Sequence, residues 1–270
     1  KSTNEEKSAA IDRVNVAKID AINSITNATT TQLVNDAKNS GNTSISQILP
    51  STAVKTNALA ALASEAKNKN AIIDQTPNAT AEEKEEANNK VDRLQEEADA
   101  NILKAHTTDE VNNIKNQAVQ NINAVQVEVI KKQNVKNQLN QFIDNQKKII
   151  ENTPDATLEE KAEANRLLQN VLTSASDEIA NVDHNNEVDQ ALDKARPKIE
   201  AIVPQVSKKR DVLNAIQEAF NSQTQEIQEN QEATNEEKTE ALNKINQLLN
   251  QAKVNIDQAQ SNKDVDNAKT

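Results

Sequence analysis

The sequence predicts an all-α protein of tandem elongated antiparallel three-helix bundles joined end to end into a rod. Three observations carry that expectation. The first is an ungapped repeat: a Thr-x-Glu-Glu-Lys motif, first at Thr3 to Lys7, recurs every 77 residues, at Thr80 to Lys84, Thr157 to Lys161 and Thr234 to Lys238. The second is the helical spacing of apolar residues within each period. The third is composition. One Gly and five Pro in 270 residues are too few for turn-rich sheets or flexible linkers. Leu, Ile, Val and Phe make up about 22% of the chain, just above the roughly 20% at which chains stop folding.

The first helix of each period starts at the repeated Thr. Its hydroxyl can accept from a first-turn amide while the Glu three residues on reaches back to the Thr amide, and the acidic pair suits the positive end of the helix dipole. Its stripe is Ala10, Val14, Ala17, Ala21, Ile25 and Ala28, repeated as Ala87, Val91, Leu94, Ala98, Ile102 and Ala105. The third and fourth copies are Ala164, Leu168, Val171, Ala175, Ile179, Val182 and Ala241, Ile245, Leu248, Ala252, Ile256, Ala259. Steps of three and four place each set on one face.

The second helix follows Thr30, Thr107, His184 and Ser261, with stripe Val34, Ala37, Gly41, Ile45, Ile48. Gly41 aligns with Ala118 and Ala195, which predicts a close helix crossing and not a hinge. Pro50 and Pro204 should end this helix. Val127 stands in their place in the second period, which predicts a smoother or partly helical connection there. Pro197 lies inside the third copy and predicts a kink or local break. The third helix carries Ala58, Leu62, Ala66 and Ile73, with counterparts Val135, Leu139, Ile143, Ile150 and Val212, Ile216, Phe220, Ile227. It should stop at Thr76-Pro77, Thr153-Pro154 and Asn230-Gln231. Counting from the repeated Thr, the expected units are 1–77, 78–154 and 155–231, with half a unit at 232–270.

Chemistry is hard to place on this chain. A single glycine excludes the glycine-rich phosphate cradles. A net charge of −11 with two aromatic residues, Phe142 and Phe220, argues against nucleic-acid partners. The absence of cysteine excludes disulfides and thiolate chemistry. No apolar run approaches the length of a membrane span and no leader pattern is present, so membrane insertion is not expected. His106 and His184, the only histidines, do not align with each other and are read as loop or cap residues. The runs Glu82 to Glu86, Glu96-Glu97, Lys131-Lys132, Lys147-Lys148 and Lys208-Lys209-Arg210 are read as solvated helix faces. No catalytic, cofactor-binding or metal-ligating residue is nominated and no cofactor is expected.

The opening Thr-Pro-Asn/Asp-Ala-Thr-x-Glu-Glu-Lys at Thr76 to Lys84 and Thr153 to Lys161, with Ala-His-Thr-Thr-Asp-Glu-Val at Ala105 to Val111, resembles the asparagine-rich repeat of unknown function in staphylococcal cell-wall-anchored surface proteins of the SasC, FmtB and extracellular-matrix-binding homologue type. The resemblance implies a piece of a long extracellular stalk on the bacterial cell wall, whose export signal and anchor lie outside this sequence. It further implies parents associated with adhesion, cell aggregation and biofilm, and it brings no catalytic or binding residues. The expected function is a non-enzymatic spacer. It would act as a monomeric rod whose partners are the neighbouring repeats of the same chain. The alternative is that the repeats themselves bind host matrix or another cell surface, or self-associate, through weak multivalent contacts.

Overall fold

The computed structural model describes residues 1–268, and among them there are eleven helices and no strand. In chain order these are α1 (Asn4–Thr26), α2 (Thr31–Ser46), α3 (Ala53–Asp74), α4 (Ala81–Lys104), α5 (Thr108–Ala124), α6 (Lys131–Glu151), α7 (Leu158–Asn181), α8 (Asn185–Glu200), α9 (Lys208–Glu229), α10 (Asn235–Gln258) and α11 (Asn262–Asn267). The fold class expected from the sequence, tandem helical bundles, is the one observed. Thr3, Thr80, Thr157 and Thr234 each cap a first helix through the reciprocal Thr–Glu pair.

The phase of the bundles differs from the expected one. Helix α3 packs on α4 and α5, α6 packs on α7 and α8, and α9 packs on α10 and α11, while α1 and α2 pack on each other. Each apolar core follows this grouping. A cut after residue 77 or 154 would therefore separate α3 or α6 from the helices it covers, and the units expected at 1–77, 78–154 and 155–231 are shifted by one helix. The reason lies in the two helix-ending breaks of each period, which proline marks alike in the first, at Pro50 and Pro77. Thr76-Pro77-Asn78-Ala79 is a tight reversal inside a bundle, closed by Asn78 at φ 62°, and Asp155 at φ 61° does the same between α6 and α7. Short polar side chains tolerate that left-handed conformation best after glycine. The stretches around Pro50, Val127 and Pro204 are the links between bundles.

Val127 does not make its connection helical: residues 125–130 have no helical backbone, as in the proline-bearing copies. Pro197 does not break α8, which runs unbroken from Asn185 to Glu200. The proline sits in the last turn, where Ala201 N–H still donates to the Pro197 carbonyl at 3.1 Å. Gly41 sits at the close crossing expected of it, since a Cβ there would lie 2.5 Å from the Ala21 Cβ.

The complete bundles have cores of matching composition. Leu62, Ile73, Val91, Ile102, Val111 and Ile122 are buried in α3–α5, and one period later Leu139, Ile150, Leu168, Ile179, Val188 and Ile199 are buried in α6–α8. Residues 53–130 are therefore expected to fold as one cooperative unit in urea melts followed by circular dichroism, whereas residues 1–77, which contain no complete bundle, are not. Leu62→Ala or Leu139→Ala should destabilise its bundle by about 2–5 kcal/mol, the usual cost of such a cavity.

Candidate functional site

The surface clefts are grooves between neighbouring helices, such as one of about 590 Å³ between α1 and α2. Among the described residues no group of three or more His, Cys, Asp and Glu could hold a metal, and no helix is long and apolar enough to cross a membrane. His106 and His184 lie in the connections between first and second helices as expected, His184 as the N-cap of α8.

The built polar sites are where bundles meet. At the first, the N-terminus of α1 abuts the N-terminus of α3 and the α4–α5 connection. Asn4 N–H donates to the His106 carbonyl at 2.8 Å. The Glu5 carboxylate accepts from Thr108 N–H at 3.0 Å, and Glu6 accepts from Thr3 N–H at 2.9 Å and from Val54 N–H at 3.0 Å. Two periods on, the same contacts recur between α7, α9 and the α10–α11 connection. Leu158 N–H donates to the Gln260 carbonyl at 2.9 Å. Glu159 accepts from Asn262 N–H at 2.9 Å, and Glu160 accepts from Thr157, Ser207 and Lys208 N–H, each at 2.9 Å. The capping hydroxyls also reach across, Thr3 to Thr108 and Thr157 to Asn262.

Local sequence explains why these carboxylates are needed. No side-chain cap bond is made at the start of α3 or α9, although the first amides of a helix need acceptors. The second Glu of the repeated motif supplies one from the preceding bundle while still closing its own capping box. Three helix N-termini, with their partial positive charge, thus converge on Glu5 and Glu6. Burial pushes the Glu6 and Glu160 carboxyls up, but the amides of Val54 and Thr3, and of Lys208, Ser207 and Thr157, hold both below the ordinary value. Glu5 is lowered by its own amide and that of Thr108.

The lysines serve the opposite helix ends. Lys55 Nζ donates to the Leu103 and Ala105 carbonyls at the end of α4, at 2.8 and 2.6 Å. Lys132 Nζ donates to the Ala180 carbonyl at the end of α7, and Lys209 to that of Asp257 at the end of α10. Lys55 and Lys132 are buried. The reading of Lys131-Lys132 and Lys208-Lys209 as solvated faces is thereby corrected. Their neighbours Lys131 and Lys208 pair with Asp189 and Asp266 at 2.7 and 2.6 Å. The signal was available in the 77-residue spacing of Lys55, Lys132 and Lys209. The Lys of the repeated motif also caps, with Lys161 and Lys238 donating to the carbonyls of Glu151 and Gln228 in the preceding helix.

Two outcomes follow from this geometry. Lys132→Ala should destabilise the α6–α8 bundle by about 1–3 kcal/mol in urea melts, the cost of orphaning a buried partner, whereas Lys148→Ala on the exposed face should stay within about 0.5 kcal/mol. Glu160→Gln in residues 131–268 should split one unfolding transition into two, since an amide cannot accept from three N–H groups as a carboxylate does. Both carboxyls titrate below the ordinary 4.5. Their contribution is therefore complete above that value and lost as pH falls through the lower folded value. Wild-type coupling should be flat between about pH 6 and 8 and fail only in acid.

Comparison with known proteins fits this repeat structure. The chain is 25% identical over 99% of its length to an extracellular matrix-binding protein, EbhA, of Staphylococcus aureus strain Newman, and spans 8% of that protein. It is 25% identical over 99% of its length to the extracellular matrix-binding protein ebh of a second S. aureus strain, spanning 3% of it. The chain thus corresponds to less than a tenth of either relative. No solved structure matches it. The family described as Domain of Unknown Function (DUF1542) matches residues 1–53, 54–130, 131–207 and 208–270, the same phase in which the helices pack, and the chain belongs to that family.

Proposed function

We propose that this chain is a non-enzymatic spacer: a segment of a stalk that projects an adhesive region from a bacterial cell wall. The observation that carries the reading is the recurrence of one contact set at two junctions, two periods apart. Junctions pinned by several directional hydrogen bonds transmit the orientation of one bundle to the next, as reach from a surface requires. Polar residues singled out by the repeat, among them Thr3, Glu5, Glu6, Thr157, Glu159, Glu160, Lys161 and Lys238, are engaged in holding helix ends. The parent in this reading is a large surface protein, of the SasC or the matrix-binding type, that supports adhesion, aggregation or biofilm, with its secretion signal and wall anchor outside this segment.

A second reading is favoured by the similarity to extracellular matrix-binding proteins: the repeats themselves engage extracellular matrix, each weakly, with avidity from number. Small-angle scattering on segments of one, two and three bundles separates shape from binding. A spacer should lengthen by a constant step of about 35 Å per bundle, the length of a helix of about 24 residues, and a compact particle at three bundles refutes it. Matrix proteins immobilised on a sensor should not retain the chain, and saturable retention that scales with repeat number selects the second reading.

A further inference from the structure

We propose that the open face of α1 and α2 is a docking site for one further helix of the α3 type: an amphipathic helix of 21 or 22 residues with a lysine in its first turn. Four observations define the occupant. First, Val91, Ile102, Val111 and Ile122 are 0% exposed where α3 lies over α4 and α5. Their equivalents one period earlier, Val14, Ile25, Val34 and Ile45, are only half-buried. The residues that form the seat are the same and the covering helix is what differs.

Second, the two helices that form the seat are closely set. A Cβ on Gly41 would lie 2.5 Å from the Ala21 Cβ, so α1 and α2 cross at the positions held by Ala98 and Ala118 in α4 and α5. Third, its border is apolar where the complete bundle is polar. Asn88 of α4 borders α3 and bonds to its Asp74 at 2.9 Å. The equivalent residue in α1 is Ile11, 61% exposed, and Ile22, three turns on, continues that edge at 50%. Fourth, the charge at the helix end is complementary. The C-termini of α4, α7 and α10 each receive a lysine from the α3-type helix beside them, Lys55, Lys132 and Lys209. The last turn of α1 carries no basic residue of its own. Its negative dipole end, at Thr26 to Ala28, lies where such a lysine would arrive.

The test uses a fluorescent peptide of residues 52–76 titrated with the full chain and read by anisotropy. Saturable one-to-one binding is expected, weakened about tenfold by Lys55→Ala in the peptide, the loss of one charge-assisted hydrogen bond, and abolished by Val34→Asp in the chain. Amide hydrogen exchange should slow across residues 10–48 on binding and remain unchanged across α4 and α5. A second measurement avoids dependence on a free peptide's helicity: residues 1–2 are replaced by a copy of residues 53–79, which leads into Thr3 as Ala79 leads into Thr80. Exchange in α1 and α2 should then slow to the rates of α4 and α5. No slowing in either experiment overturns the proposal. So does protection of residues 10–48 that grows with chain concentration alone, which would assign the face to a second copy.

Discussion

Every α-helix leaves about four amides at its start and four carbonyls at its end without partners, and a bundle of three helices gathers these ends at its two tips. In a protein with an average core the cost is absorbed by loops folded over the tips. Here the loops are too short for that: α4 and α5 are joined by three residues and α7 and α8 by three. The ends are satisfied instead by charged side chains reaching across from adjacent helices. Glu5, Glu6, Glu159 and Glu160 accept from N-termini, and Lys55, Lys132 and Lys209 donate to C-termini. Tandem arrangement follows from this chemistry, because α3 and α9 obtain acceptors from the bundle that precedes them.

The thin core makes this end chemistry matter more. Each bundle holds a single column of Leu, Ile and Val separated by alanines such as Ala87, Ala98 and Ala118, so apolar burial per residue is modest. Stability near 0.05–0.15 kcal/mol per residue would leave one 77-residue bundle about 4–12 kcal/mol from unfolding, and a thin core places it toward the lower end. In linear arrays the coupling between neighbours adds to such intrinsic stabilities. A few hydrogen bonds to a carboxylate, each about 1.5–3 kcal/mol at most, are a sizeable addition at that scale.

Much of this was legible in the sequence. The period, the three stripes, the Thr–Glu capping pair and the close crossing at Gly41 follow from spacing alone, because each expresses a local or nearest-turn requirement. The phase was not legible, since Pro77 and Pro50 both stop helices and only the left-handed Asn78 distinguishes a reversal from a link. Pro197 was misjudged because a proline in the final turn forfeits little of the hydrogen-bond ladder. Lys132 looked like any surface lysine, since its acceptor, the Ala180 carbonyl, is a backbone group 48 residues away and leaves no signature of its own. The second partner of Glu6, Val54 N–H, is hidden for the same reason.

The division of labour between inside and outside bears on function. Most residues that repeat at the 77-residue spacing point into stripes or into helix ends, and much of the remaining surface is Asn, Gln, Lys, Asp and Glu that differ from period to period, with scattered exposed aliphatics such as Leu103, Leu167 and Leu248. Exposed ion pairs such as Arg166–Glu163 and Arg196–Glu200 stay within one helix and contribute little. The side of α1 differs from its copies, because Ile11, Ile19 and Ile22 are exposed there where α4 has Asn88, Glu96 and Asp99 and α7 has Asn165, Thr173 and Ser176. Ile72 and Ile149 are exposed at one repeat position, while the apolar edge of α1 borders a seat that the other bundles fill with a helix.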